Sequence, residues 1–153
     1  MAQLTYGYDI PKGVAGGKVD LACDEVVTRL NEAEDGVMKF GMGAVVGTSA
    51  GSSVKVPAAK TDVFEGVVLY LPNTEQDMNG NVVVKKDVSL GIVKHGKVWV
   101  RLATDVTPTY GAEAYVVATG ADAGCFTTSA EDNIKTTAKF GNLVDGSIAV
   151  IEL

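Results

Sequence analysis

The sequence predicts a mainly β fold: a small barrel or sandwich-like domain behind an extended N-terminal arm. Three observations predict it. Short runs rich in valine recur along the chain, the pattern of half-buried or fully buried strands. Glycine, 18 of 153 residues, interrupts those runs. From Val37 onward, turn signals return at the spacing of roughly 8 to 12 residues that marks sandwiches and barrels. A chain of 153 residues is one ordinary domain. It buries roughly 70% of its unfolded surface, which removes the need for a disulfide or metal staple. Its 46% apolar and 21% charged content is that of a globular protein.

Taken in order, residues 1–18 carry Tyr6, Tyr8, Ile10 and Pro11 and then the glycine-rich "GVAGG". Aromatic and apolar side chains without a helix or strand period read as an arm that lies on its own domain or on a neighbour. The β domain is assigned to residues 19–153. "VDLACDEVVTRLNEA" reads as a strand or extended chain, because Val26, Val27 and Thr28 outweigh a weak helical spacing, and "AEDG" ends it. "VMKFGMGAVVG" reads as a glycine-interrupted strand, "GTSAGSS" as a loop, and "DVFEGVVLYL" as a strand stopped by Pro72. "PNTEQDMNGN" is a loop around the Asn79-Gly80 turn, and the apolar run "NVVVKKD" continues the β pattern. "AEAYVVAT", "AGCFTTS" and "SIAVIEL" complete it.

The stretch "LGIVKHGKVWV" at 90–100 aligns without gaps to "FGNLVDGSIAV" at 140–150. His95 falls on Asp145 and Gly96 on Gly146, so both stretches are expected to be hairpins, with the lone histidine at a turn tip.

Charge and cysteine content narrow the function. With 13 basic against 19 acidic residues the net charge is −6, and Lys85-Lys86 is the largest basic cluster, so a nucleic-acid partner is not expected. Asp20, Asp24, Glu25, Glu32, Glu34 and Asp35 face only Lys18 and Arg29, which makes either a solvated acidic face or a surface for a basic partner. No run approaches the roughly 18 apolar residues of a membrane span. The first residues lack a basic start followed by an apolar core, so no signal peptide is expected. Cys23 and Cys125 have no metal-ligand spacing. They read as reduced thiols, with one long bridge left open, and no metal or cofactor is expected.

Catalytic motifs fail on context. Gly47-Thr48-Ser49-Ala50-Gly51 satisfies the nucleophile-elbow pattern, with Asp77 or Asp87 and His95 downstream, but no helix follows it. Gly41, Gly43 and Gly47 are one residue too widely spaced for a dinucleotide loop. "DMNGN" begins like a calcium loop, but Val82 and Val88 stand where the glycine and the bidentate glutamate are needed. Trp99 alternates with Val98 and Val100 and so shares the opposite face with Arg101. That face is either an exposed interface anchor or is covered by a second layer, such as the arm, within the same subunit.

"VTRLNEAEDGVMKFGMGAVVG", "FEGVVLYLPNTEQDMNGNVVVKKDVSLGIVKHGKVWVRL" and "VTPTYGAEAYVV" resemble the structural cement proteins of tailed-phage capsids, within the broader group of head decoration proteins. The resemblance runs from about Gly13 to near the C-terminus. It implies a non-enzymatic β-barrel-like or β-tulip protein, made in the host cytoplasm and placed on the outer capsid surface. There it would bind several major capsid protein subunits, often as a homotrimer with extended arms. The protein-interface candidates are Tyr6, Tyr8, Ile10, Pro11, Trp99 and Arg101. The competing expectations are another minor virion component of tail or connector, and a carbohydrate-binding β module.

Overall fold

A computed structural model describes residues 13–20, 22–72, 76 and 78–153. The described residues form strands and turns without a helix. In chain order the strands are β1 (Glu25–Asn31), β2 (Gly43–Val46), β3 (Ser53–Lys55), β4 (Phe64–Val68), β5 (Ser89–His95), β6 (Lys97–Arg101), β7 (Glu113–Val116), β8 (Phe126–Thr127), β9 (Ile134–Asp145) and β10 (Ile148–Glu152). The first five close into a barrel in the order β1-β3-β2-β4-β5, and the last five form a sheet in the order β6-β10-β9-β7-β8.

The valine runs follow from this arrangement. Ala44, Val68, Leu90 and Ile92 point into the barrel with Met38, Phe40 and Val54. Their strand neighbours Val45, Val67 and Val93 point the other way, into a second core shared with Val98, Val100, Phe126, Phe140 and Ile151 of the sheet. Where β2, β4 and β5 back onto the sheet, the barrel wall is therefore buried on both faces, and such strands read as continuous apolar runs, not alternation. Phe126 and Phe140 are fully buried, each contributing on the order of 1.5–3 kcal/mol of transfer free energy. Phe64 meets Phe126 edge-to-face at 6.2 Å, tying β4 of the barrel to β8 of the sheet. On β9, by contrast, Ile134, Thr136, Ala138 and Phe140 are buried and Lys135, Thr137 and Lys139 exposed, the period of a sheet with one wet face.

Edges are closed. The barrel has none. On the second sheet, β8 is two residues long and its Phe126 bridges Leu102 just beyond β6. The free side of β6 is taken by residues 16–19: the Gly16 amide donates to the Trp99 carbonyl at 2.7 Å, the Trp99 amide to Gly17 at 2.9 Å, and the Val19 amide to Lys97 at 3.1 Å. Covered edges cannot recruit further strands.

Several local expectations are corrected. "LGIVKHGKVWV" is not a hairpin: β5 and β6 lie in different sheets. His95 pairs with Glu25 on β1, Lys97 pairs with Glu152 on β10, and between them Gly96 exchanges backbone hydrogen bonds with Leu153. The chain crosses from barrel to sheet through a bend at Gly96, which has φ of 119°. His95 is an exposed strand end, and the likeness to residues 140–150 has no structural counterpart. That second stretch is a true hairpin, with Ile148 opposite Asp145 across Gly146 and Ser147. Residues 37–42 are turns, although Met38 and Phe40 are buried as alternation demands, and only Gly43–Val46 is strand. "NVVVKKD" forms no strand beyond a bridge between Gln76 and Val82. The fully buried Asn31 holds it instead: its side-chain amide donates to the Lys85 carbonyl at 2.9 Å, and its side-chain oxygen accepts the Ala33 amide at 3.0 Å.

Candidate interaction surface

Trp99 occupies the face of β6 opposite Val98 and Val100, as alternation requires, yet it is only 3% exposed. The chain's own lead-in residues cover it. The Gly17 amide closes a tight turn on the Val14 carbonyl at 2.8 Å, and Gly13 then lies on the indole, where a Cβ would overlap the ring. Gly16 has φ of 81° and sits so close to the end of β4 that a Cβ would meet the Val68 carbonyl oxygen at 2.6 Å. Its own carbonyl accepts the Tyr70 amide at 2.9 Å. "GVAGG" is thus a clamp between β4 and β6: Gly13 permits contact with the ring, and Gly16 permits both the turn and the close approach. Trp99 is therefore a covered residue, not an exposed anchor.

Arg101 is half-buried. Its Nε donates to the Phe40 carbonyl at 2.8 Å, and its backbone amide donates to Gly41 at 3.0 Å, which ties the residue 37–42 turns to β6. It borders a hollow of about 270 Å³ with Lys39, Asp122 and Cys125. Burial, and next Asp122, push the Cys125 thiol up. Cys23 and Cys125 are both free. Tyr6, Tyr8, Ile10 and Pro11 lie outside the described residues.

Sequence reasoning missed a groove beside Trp99. It has a volume of about 500 Å³. Val150, the register partner of Trp99 on β10, forms its floor with Gly141 of β9. One side carries Lys97 and Asp20, paired at 3.6 Å. The other carries Tyr110, 81% exposed, and Leu143, 38% exposed. An aromatic in the turn segment "TPTYG" was the available signal. A second apolar surface is the outer side of β1, where Val26 and Leu30 are 37% and 40% exposed.

The acidic early segment is largely answered within the chain. Lys18 pairs with Asp24, Lys97 with Asp20, and Lys86 with Glu34, while the Lys86 amide donates to Asp35. Arg29 reaches Glu65 at 2.9 Å, joined by Lys94 at 3.5 Å. The Glu32 carboxylate accepts the Ser53 hydroxyl and the amide and hydroxyl of Thr48. The Ser53 hydroxyl first, and the Thr48 amide next, hold its carboxyl below the ordinary value.

That carboxylate also explains "GTSAG". The segment is the β2–β3 loop wrapped around Glu32, with the Ser49 amide donating to Ser53 Oγ at 3.1 Å and the Ser49 carbonyl accepting the Ser52 and Ser53 amides. A strand follows it, so the strand-to-helix elbow that would lift a nucleophilic serine is missing. Among the described residues no three His, Cys, Asp or Glu side chains are grouped to hold a metal ion. Asp77 of "DMNGN" lies outside the described residues.

What remains is an irregular, mostly closed-edged β body with exposed apolar side chains at the groove and on β1. A family model described as "Structural cement protein (E217 gp24/Pam3 gp6)" matches residues 2–153. The chain belongs to the phage structural cement protein family. Its fold is similar to that of a chain in a solved structure titled "The capsid of Myoviridae Phage XM1", with a TM-score of 0.74, 16% identity, and coverage of 99% of this chain and 94% of that one. At that identity the likeness is one of fold. No curated protein matches it in sequence. A cement protein is a structural component of the virion, and stabilising the capsid is its function.

Proposed function

We propose that this cement protein sits on the outer capsid surface, where it bridges neighbouring major capsid protein subunits as a homotrimer and braces the shell. The family match across residues 2–153 carries this reading. The architecture supports it physically. A brace must transmit load without adding strands to itself, and the barrel closure, the covered edge of β6 and the two-residue β8 meet that requirement. Each contact to the shell can then be modest. Simultaneous engagement of several subunits slows release through effective concentration.

The arm residues Tyr6, Tyr8, Ile10 and Pro11 are the proposed contacts to the shell or a sister subunit, with Arg101 as a further candidate at the surface beside Trp99. Packaged DNA is not a partner in this reading, since the net charge is −6 and Lys85-Lys86 is the largest basic cluster. The test is add-back to shells stripped of the protein. The full chain restores stoichiometric occupancy and raises the temperature at which shells release DNA, whereas a chain lacking residues 2–12 folds but does not bind. Normal binding by the truncated chain would remove the arm from the interface. Equilibrium sedimentation of the free protein tests the homotrimer.

A further inference from the structure

The hollow beside Arg101 carries positive charge that the fold leaves uncompensated. Lys18, Arg29, Lys55, Lys86, Lys94 and Lys97 each stand within ion-pair distance of a carboxylate, and Lys135 and Lys139 act on Glu113. Among the described residues no carboxylate lies within ion-pair distance of Lys39 or Arg101, and both border the same hollow of about 270 Å³. Lys39 is exposed and Arg101 half-buried.

The lining defines what the hollow accepts. The Arg101 guanidinium is fixed in advance, because its Nε donates to the Phe40 carbonyl at 2.8 Å. Its two terminal nitrogens then form the edge that takes a carboxylate in parallel hydrogen bonds. Asp122 also borders the hollow, with Oδ2 held by the Thr104 amide at 2.9 Å. Burial keeps the Cys125 thiol in its neutral form. Lys39 and Arg101 against Asp122 leave one positive charge in excess, the complement of a single carboxylate and not of a dianion. The volume falls below the roughly 300–1,000 Å³ of sites that enclose a whole small molecule, and suits one side chain. Val37, Met42 and Val56 line it beside the charges, where they can meet the methylenes of that side chain.

We infer that the hollow of Lys39 and Arg101 is a socket for one aspartate or glutamate side chain of a neighbouring shell subunit. This rests on the proposed contact role of Arg101 and deepens it by naming the chemistry that Arg101 meets. A second copy of this chain is the poorer fit, because it brings a further net charge of −6 to the contact. The same acidity repels a negative partner surface elsewhere on the chain, so a socket of opposite sign fixes the docking register.

The test compares binding of the full chain and its variants to shells stripped of the protein. Lys39→Gln weakens binding about fivefold and Lys39→Glu weakens it further, whereas Asp122→Asn tightens it about two- to fivefold. Lys60→Gln makes the same charge change at an exposed lysine that does not border the hollow, and leaves binding at the wild-type value. Thermal midpoints of the free variants stay together, which separates loss of the socket from loss of the fold. Equal affinities for Lys39→Gln, Asp122→Asn and Lys60→Gln would overturn the inference. Dissociation of a free oligomer by Lys39→Glu, seen in sedimentation, would overturn it in favour of a carboxylate from a second copy. Failure of the wild type itself to bind would overturn the reading beneath it, a result distinct from equal binding by every variant.

Discussion

Gly13 lies against the indole of Trp99 so closely that a Cβ at position 13 would stand 2.2 Å from the ring's Cε2. This contact makes the lead-in residues part of the domain, and it converts an apparently exposed face of β6 into a second buried layer.

Gly13→Ala is accordingly expected to destabilise the fold by about 1–3 kcal/mol through overpacking. Because Trp99 is the only tryptophan, its emission reports the displacement directly, with a red shift as water reaches the ring. Trp99→Ala is expected to cost about 3–5 kcal/mol in denaturant unfolding. An exposed interface tryptophan would cost almost nothing in the free protein.

Asn31→Ala leaves the Lys85 carbonyl and the Ala33 amide without their side-chain partner in a fully buried site. The expected loss is about 1–3 kcal/mol. Hydrogen exchange should rise first at the Asp87 amide, which donates to the Asn31 carbonyl at 2.8 Å.

At the crossing between barrel and sheet, Gly96→Ala forces a side chain onto a backbone with φ of 119° and places its Cβ 2.9 Å from that of Asp24. The expected cost is about 1–3 kcal/mol. His95→Ala, at an exposed strand end, is expected to stay within about 0.5 kcal/mol of wild type. Thermal denaturation of the two variants separates a crossing glycine from a functional histidine.

The Glu32 carboxyl is held below its ordinary value of 4.5 in the folded chain by the Ser53 hydroxyl and the Thr48 amide. A group whose folded pKa is depressed contributes stability that is present above its unfolded pKa and lost as pH falls through its folded pKa. The stability difference between wild type and Glu32→Gln should therefore be constant above about pH 5 and shrink progressively below 4.5. Denaturant midpoints across that range check it.

The parts of the fold that were legible in the sequence are those decided locally. The Asp145-Gly146 hairpin forms because its two strands return along one another. His95-Gly96 carries the same local signal, yet its strands part company. What decides it is pairing to Glu25 and Leu153, which lie about seventy and fifty-seven residues away in sequence. For Trp99, alternation places the ring opposite Val98 and Val100, but a strand pattern reports which residues share a face and not whether that face is wet. The apolar run at 82–84 pairs no further than the bridge from Val82 to Gln76, and the Asn31 amide holds the backbone that follows, a tertiary contact that no propensity reveals. The groove was illegible for the same reason: Val150, Gly141 and Tyr110 come together only once β9 and β10 pair and the 110 turn folds beside them.

The cement role is tested by the copy number of this protein in purified particles, measured by quantitative mass spectrometry against the major capsid protein. A capsid cement is expected at a fixed stoichiometric ratio near one, or a small constant fraction of it. A handful of copies per particle, the count of a tail or connector component, would contradict it.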